Sequence, residues 1–298
     1  MKLITECTVG IVGMGLMGGA ITGALVNRCG VSARNVYACD NDSETLALAS
    51  EVGLIGKGWP AEEAGEMLAA CDLVFLCILP GSVVQFLEKW EHAFKPGTLI
   101  TDCAGNKQSI AAAAEKLRQD VDFIPGHPMA GAEKGGFANA GLVNFIGKNY
   151  ILCPLSRNKP ENSQFLKNLI GQMGFGRITE TSAAEHDSKI AFTSQLCHVI
   201  ASALINCEAD IGIVRFGGGS FEDFTRIAMI DASMWTELFV SNRQELLKRI
   251  DQFENSLAVL KGFVQEGNKK ELMQYLAEVR NRRIAIDNLS SVPLDSGV

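Results

Sequence analysis

The first half of the chain alternates short, wholly apolar runs with longer stretches of helical periodicity. Val9-Gly10-Ile11-Val12 leads into an Ala- and Leu-rich stretch from Ala20 to Val26, and Val36–Cys39 into Glu44–Val52. Pro60 opens a helix ending near Ala70. Asp72–Leu79 is followed by Pro80 to about Phe94, and Thr98–Asp102 by Lys107–Leu117, with Val121–Pro125 as the next run. Runs that are apolar at every position and bounded by turns read as strands covered on both faces, the habit of parallel sheets. Their alternation with helices implies right-handed β-α-β crossovers. Gly126–Gly147 predicts a long glycine-rich loop, of a length usually tied to function. Asn149–Pro154 and Gly176–Thr179 predict two further strands, flanking a helix over Asn162–Met173.

The pattern changes at Thr181. Ser182-Ala183-Ala184-Glu185 is a capping box. It predicts a helix from Ala183 to about Ile213 that carries Ile190, Ser194, His198, Ala201 and Ile205 on one side. Asp231–Arg249, Gln252–Glu266 and Lys269–Ile286 read as further helices, and no buried strand follows Gly217-Gly218-Gly219. The expected division is residues 1–179, residues 180–288 and a loose tail over 289–298. Leu246, Leu247, Ile250, Phe253 and Leu257 recur at helical spacing, as for a helix packed against a second subunit or within one internal core.

Composition narrows the function. The 298 residues are 47% hydrophobic, enough for two ordinary domains, and the net charge of −7 argues against a nucleic-acid surface. No apolar run reaches the roughly 18 residues of a membrane span. The start lacks a signal-peptide pattern, and the nine cysteines include no C-x-x-C pair. The expectation is a cytoplasmic protein with neither a metal centre nor a membrane partner.

The candidate chemistry starts at Gly13-Met14-Gly15-Leu16-Met17-Gly18. In a strand–turn–helix setting, the first glycine permits the turn, the second lets a pyrophosphate approach the backbone, and the third allows close helix packing. Asp40 ends the next strand 22 residues beyond Gly18, where an acid takes the adenosine ribose hydroxyls and disfavours a 2′-phosphate. These residues point to NAD. Asp40 also opens a polar turn, and Asp42 or Ser43 can cap the next helix. Ligands bind beyond the carboxyl ends of parallel strands. Three such ends, Leu79-Pro80-Gly81, Cys103–Lys107 and Gly126-His127-Pro128, are expected to converge. His127 suits removal of a hydroxyl proton, although a His-Pro pair can equally be a structural corner. His186 reads as a packing residue beside Asp187, and His198 as an interior histidine. Arg226 suits a two-pronged carboxylate contact or a salt bridge to Asp223 or Glu222.

Gly126-His127-Pro128-Met129-Ala130-Gly131-Ala132-Glu133, Asp223-Phe224-Thr225-Arg226-Ile227-Ala228 and Met234-Trp235 together resemble the prephenate/arogenate dehydrogenases of tyrosine biosynthesis. The resemblance spans about Val9 to Ile286. It implies an α/β Rossmann-type doubly wound parallel sheet followed by an all-α dimerisation domain, working as a homodimer. It implies NAD-dependent oxidative decarboxylation of prephenate to 4-hydroxyphenylpyruvate, or of arogenate to tyrosine. By position, His127 is catalytic. His198, Arg226, Asn106, Glu133, Asp223 and Trp235 fall at substrate-site positions, and Gly13, Met14, Gly15, Leu16, Met17, Gly18, Asp40, Leu79 and Pro80 at cofactor positions. Three residues depart from the pattern: Gly105 where a serine is common, Gln195 where a histidine is common, and Glu222 in place of a basic residue. An acid at Glu222 would favour the ammonium of arogenate. The competing readings are a β-hydroxyacid dehydrogenase-like reductase using Lys189, and a non-catalytic NAD-binding protein.

Overall fold

The computed structural model describes residues 2–132 and 134–291. In order, β1 (Val9–Val12), α1 (Leu16–Asn27), β2 (Val36–Asp40), α2 (Ser43–Glu51), β3 (Lys57–Pro60), α3 (Ala64–Leu68), β4 (Leu73–Leu76), α4 (Pro80–Trp90), β5 (Leu99–Asp102), α5 (Gln108–Ala114) and β6 (Asp122–Ile124) build the nucleotide half. Their six strands form one parallel sheet in the order β3-β2-β1-β4-β5-β6. The wholly apolar strands are explained by cover on both faces. In β4, Leu73 and Phe75 join a core with Ile21 and Leu25 of α1, while Val74 and Leu76 join a second core with Met67, Val83 and Ile110. Successive side chains of a strand point to opposite faces, so every position is buried.

The expected loop after Gly126 is partly ordered. β7 (Gly126–Pro128) pairs antiparallel with β8 (Asn149–Leu152), which pairs parallel with β9 (Arg177–Glu180) beyond α6 (Pro160–Gln172). These strands make a separate three-stranded sheet rather than extending the large one. His127 therefore sits on a strand, opposite Ile151.

The helical half also departs from expectation. In place of one helix to Ile213, α7 (Ala183–Ile190) passes through a π-helical turn at Ala191–Gln195 into α8 (Leu196–Asn206). The rod Ala183–Asn206 is long and apolar enough to cross a membrane by length and composition. Its His186, Asp187 and Gln195 are instead buried and hydrogen-bonded inside the protein. After α9 (Gly219–Thr225), α10 (Ala232–Ser241) stops at Asn242, and α11 (Arg243–Glu266) begins where continuation was expected. Asn242 has other duties: its side-chain amide donates to Asp187 O and to Gln195 Oε1, each at 2.9 Å.

The chain separates into two compact units between Leu246 and Leu247. Hydrogen bonds tie α7–α10 to the sheet's carboxyl edge: Lys107 N donates to Asp187, Asn106 Nδ2 to Leu238 O, and Gly81 N to Glu237 Oε1. The second unit holds the rest of α11 and α12 (Lys269–Ser291), joined through Gly267 at φ +62°. Tyr275 packs on Phe263 and its hydroxyl meets Ser256 Oγ at 3.0 Å. Leu247, Leu257, Val264, Met273 and Leu276 in this unit are exposed apolar side chains, whereas Leu246 is buried in the first. Most of the expected tail lies outside the described residues.

Candidate active site

The glycine turn meets each geometric demand. Gly13 has φ +86°, and a Cβ there would lie 2.7 Å from Cys77 O. A Cβ on Gly18 would fall 1.9 Å from Gly13 O, so only glycine lets α1 sit this close to the turn. A Cβ on Gly15 would meet nothing within 4 Å, because the turn opens outward there. Gly15 is also the N-cap of α1 and carries no capping side chain, so the first amides of the helix are left for an anion. Asp40 Oδ2 accepts Met14 N at 2.6 Å, and Asp40 lines a 330 Å³ cavity with Gly13 and Ser82. Asp42, not Asp40, caps α2 through Glu44 N. These features fit a dinucleotide. Gly18 is buried against the turn, the close helix packing expected of the third glycine, and Met14 is buried in the core.

A cleft of 980 Å³ opens beyond the strand ends. Leu16, Met17, Leu79, Pro80 and Gly105 line it from the nucleotide half, His127 from β7, and Ser194, Gln195, His198, Arg226 and Trp235 from the helical segments. The three strand ends do converge, and His127 and Arg226 share one cavity.

His127 is held from behind. Its Nδ1 lies 2.9 Å from His186 Nε2, and His186 Nδ1 lies 2.7 Å from Asp187 Oδ1. The Asp187 carboxylate also accepts Lys107 N at 2.7 Å and Gln108 N at 2.9 Å. Lys107 and Asp102 form a fully buried ion pair, and Asp102 further accepts Ala104 N and Gly126 N, at 3.0 and 3.1 Å. Burial, then the charges of His186 and Lys107, push the His127 imidazole well below its ordinary value. Burial also lowers His186, against the opposing hydrogen bond that it donates to Asp187. His186, expected to pack, instead backs His127. The available signal was its place in the first turns of a helix aimed at the sheet's carboxyl edge.

The helical wall carries an aromatic pair, His198 stacked on Trp235 with His198 Nδ1 3.0 Å from Ser194 O. Asn106 does not line the cleft. It is 2% exposed, its amide donates to Leu238 O and Ser241 Oγ, and its Oδ1 accepts Gln195 Nε2 at 2.9 Å. It fastens α10 to the strand end, so a substrate-binding role is not supported. Asp223 and Glu222 are exposed and not among the cleft-lining residues. Glu133 lies outside the described residues.

Comparison with known proteins follows the same outline. The family model "Prephenate dehydrogenase, nucleotide-binding domain" matches residues 23–179, and "Prephenate dehydrogenase, dimerization domain" matches residues 182–278. The chain is 28% identical over 286 residues to a prephenate dehydrogenase of Bacillus subtilis (strain 168), covering 93% of this chain and 75% of that one. It resembles the crystal structure of prephenate dehydrogenase from Aquifex aeolicus in complex with hydroxyphenyl propionate and NAD+, with TM-score 0.84, 27% identity and coverage of 96% and 100%. It also resembles Synechocystis arogenate dehydrogenase, with TM-score 0.77, 26% identity and coverage of 93% and 99%.

Proposed function

This chain belongs to the prephenate dehydrogenase family, and from that premise we propose that it catalyses NAD-dependent oxidative decarboxylation of prephenate to 4-hydroxyphenylpyruvate. The carrying observation is that one imidazole and one guanidinium, His127 and Arg226, face a single cleft beside the glycine turn. NAD+, when bound, supplies the hydride acceptor.

The rest is done by side chains of the protein. Gly15 and the open N-terminus of α1 would hold the pyrophosphate, and Asp40 the ribose hydroxyls. Leu16, Met17, Leu79 and Pro80 would bound the nicotinamide end. His127 removes the proton of the ring hydroxyl. Its depressed basicity keeps it neutral, and so able to accept, across the neutral range. Arg226 supplies the cation that holds a substrate carboxylate, and the stacked His198–Trp235 pair makes an apolar wall for the ring. Loss of the ring carboxylate as CO2 leaves an aromatic product, which drives the step forward. Residues 1–179 are assigned to the nucleotide and residues 180–288 to substrate contacts and pairing as a homodimer. The apolar side chains exposed on α11 and α12 support the pairing.

Incubation with NAD+ and prephenate, followed by NADH absorbance, tests the reading. Turnover is expected, and His127→Asn is expected to abolish it while substrate still binds. Arg226→Ala is expected mainly to raise KM. No turnover on prephenate alongside brisk turnover on arogenate would reassign the substrate. Wild-type turnover in His127→Asn would remove the base.

A further inference from the structure

The buried chain behind His127 determines which of its nitrogens reacts. Asp187 Oδ1 and Oδ2 accept the backbone N–H groups of Lys107 and Gln108. An ionised carboxylate accepts only, so its contact with His186 requires a proton on His186 Nδ1. A neutral imidazole carries one N–H. His186 Nε2 is then a bare lone pair, and it lies 2.9 Å from His127 Nδ1. Only His127 can supply the proton between them.

We infer that His186 and Asp187 are positioning residues that hold His127 as its Nδ1–H tautomer, leaving Nε2 to take the proton from the substrate hydroxyl. The inference rests on the reading of His127 as the base. His186 and Asp187 are 1% and 3% exposed, so water does not compete for these contacts. The other charged groups nearby are Lys107 and Asp102, and they are paired with each other. When Nε2 takes the proton, His127 donates from both nitrogens. The Nδ1–H bond to His186 persists, and the Asp187 charge lies at the end of the same chain. A carboxylate that orients an imidazole in this way acts without being protonated itself.

The chain has four histidines, so imidazole nitrogen chemical shifts can be assigned by single substitution. In the unsubstituted protein at neutral pH, His127 is expected to show a protonated Nδ1 and an unprotonated Nε2. An Nε2–H form, or an average of the two, would overturn the inference. His186→Phe is expected to lower kcat by about 100-fold with little change in KM. His186→Gln, whose amide oxygen can accept from His127, is expected to recover part of the loss. Unaltered kcat in His186→Phe would also overturn it. The tautomer is read on the unsubstituted protein, and variants serve only to assign its signals. An inactive His127→Asn combined with an Nε2–H tautomer removes this inference alone, whereas an active His127→Asn removes the function it rests on.

Discussion

The imidazole of His198 lies flat against the indole of Trp235, with ring centroids 3.7 Å apart and planes 30° from parallel. The pair joins α8 to α10 and faces the cleft. Because Ser194 O accepts from His198 Nδ1, the other nitrogen of His198 is left as an acceptor.

Trp235→Ala removes this wall without touching His127. Aromatic contacts of this type contribute about 0.5–1.5 kcal/mol beyond burial, so KM for prephenate is expected to rise about tenfold at most, with kcat changed little. Trp235→Phe should restore most of it. Steady-state kinetics decide the matter: a collapse of kcat at constant KM would mean that the pair takes part in chemistry.

Two glycines in one turn are expected to fail differently. Gly18→Ala forces a Cβ to 1.9 Å from Gly13 O and should destabilise the fold by about 3 kcal/mol or more. Gly15→Ala meets no protein atom, so its thermal midpoint should stay near that of the parent, while KM for NAD+ rises about tenfold. Equal loss of stability in both variants would contradict the assignment of Gly15 to the cofactor.

Asn106 separates a structural from a substrate role. Asn106→Ala removes one partner each from Gln195 Nε2 and Leu238 O, which keep their mutual 3.2 Å contact, at a cost of about 1–3 kcal/mol. Denaturant unfolding should report that loss, and KM for prephenate should hardly move. A raised KM at full stability would return Asn106 to the substrate site.

Acid should act on the buried imidazoles. His127 and His186 are both held below the ordinary 6.5, His127 by the larger margin. As pH falls, the unfolded chain therefore binds these protons before the folded one does. Stability is full above about pH 6.5 and declines below it, towards the folded values. Thermal midpoints are expected to drop from pH 7 to 5, with a shallower drop in His127→Asn. The kcat/KM plateau should extend below pH 6.5, because a base of lowered pKa remains neutral there. An activity midpoint at or above 6.5 would contradict the lowered basicity of His127.

Local chemistry made much of this protein readable in advance. The turn at Gly13–Gly18, the apolar strands β1, β2, β4 and β5, the Asp42 cap and the Ser182 capping box each depend on neighbours within a few residues. The convergence of His127 with the other strand ends followed from the rule that parallel strands deliver ligands to their carboxyl ends, whereas the place of Arg226 was implied by the family resemblance.

Long-range pairing was not readable. Pattern alone does not tell a short strand such as β7 to leave the large sheet and pair with β8, because both placements bury the same residues. Asn242 ends α10 by donating to Asp187 and Gln195, which lie far away in the chain. The contact of His186 with His127 likewise crosses from one half to the other.

The order of residues determined the nucleotide-binding turn, the strand–helix alternation and the identity of the titratable groups, since turn geometry and burial periodicity are properties of adjacent positions. Folding in three dimensions decided which histidine supports which, that Asn106 is a fastener, and where the compact units part. Those outcomes depend on hydrogen bonds between distant segments, whose partners exist only once α7–α10 have settled onto the ends of the strands.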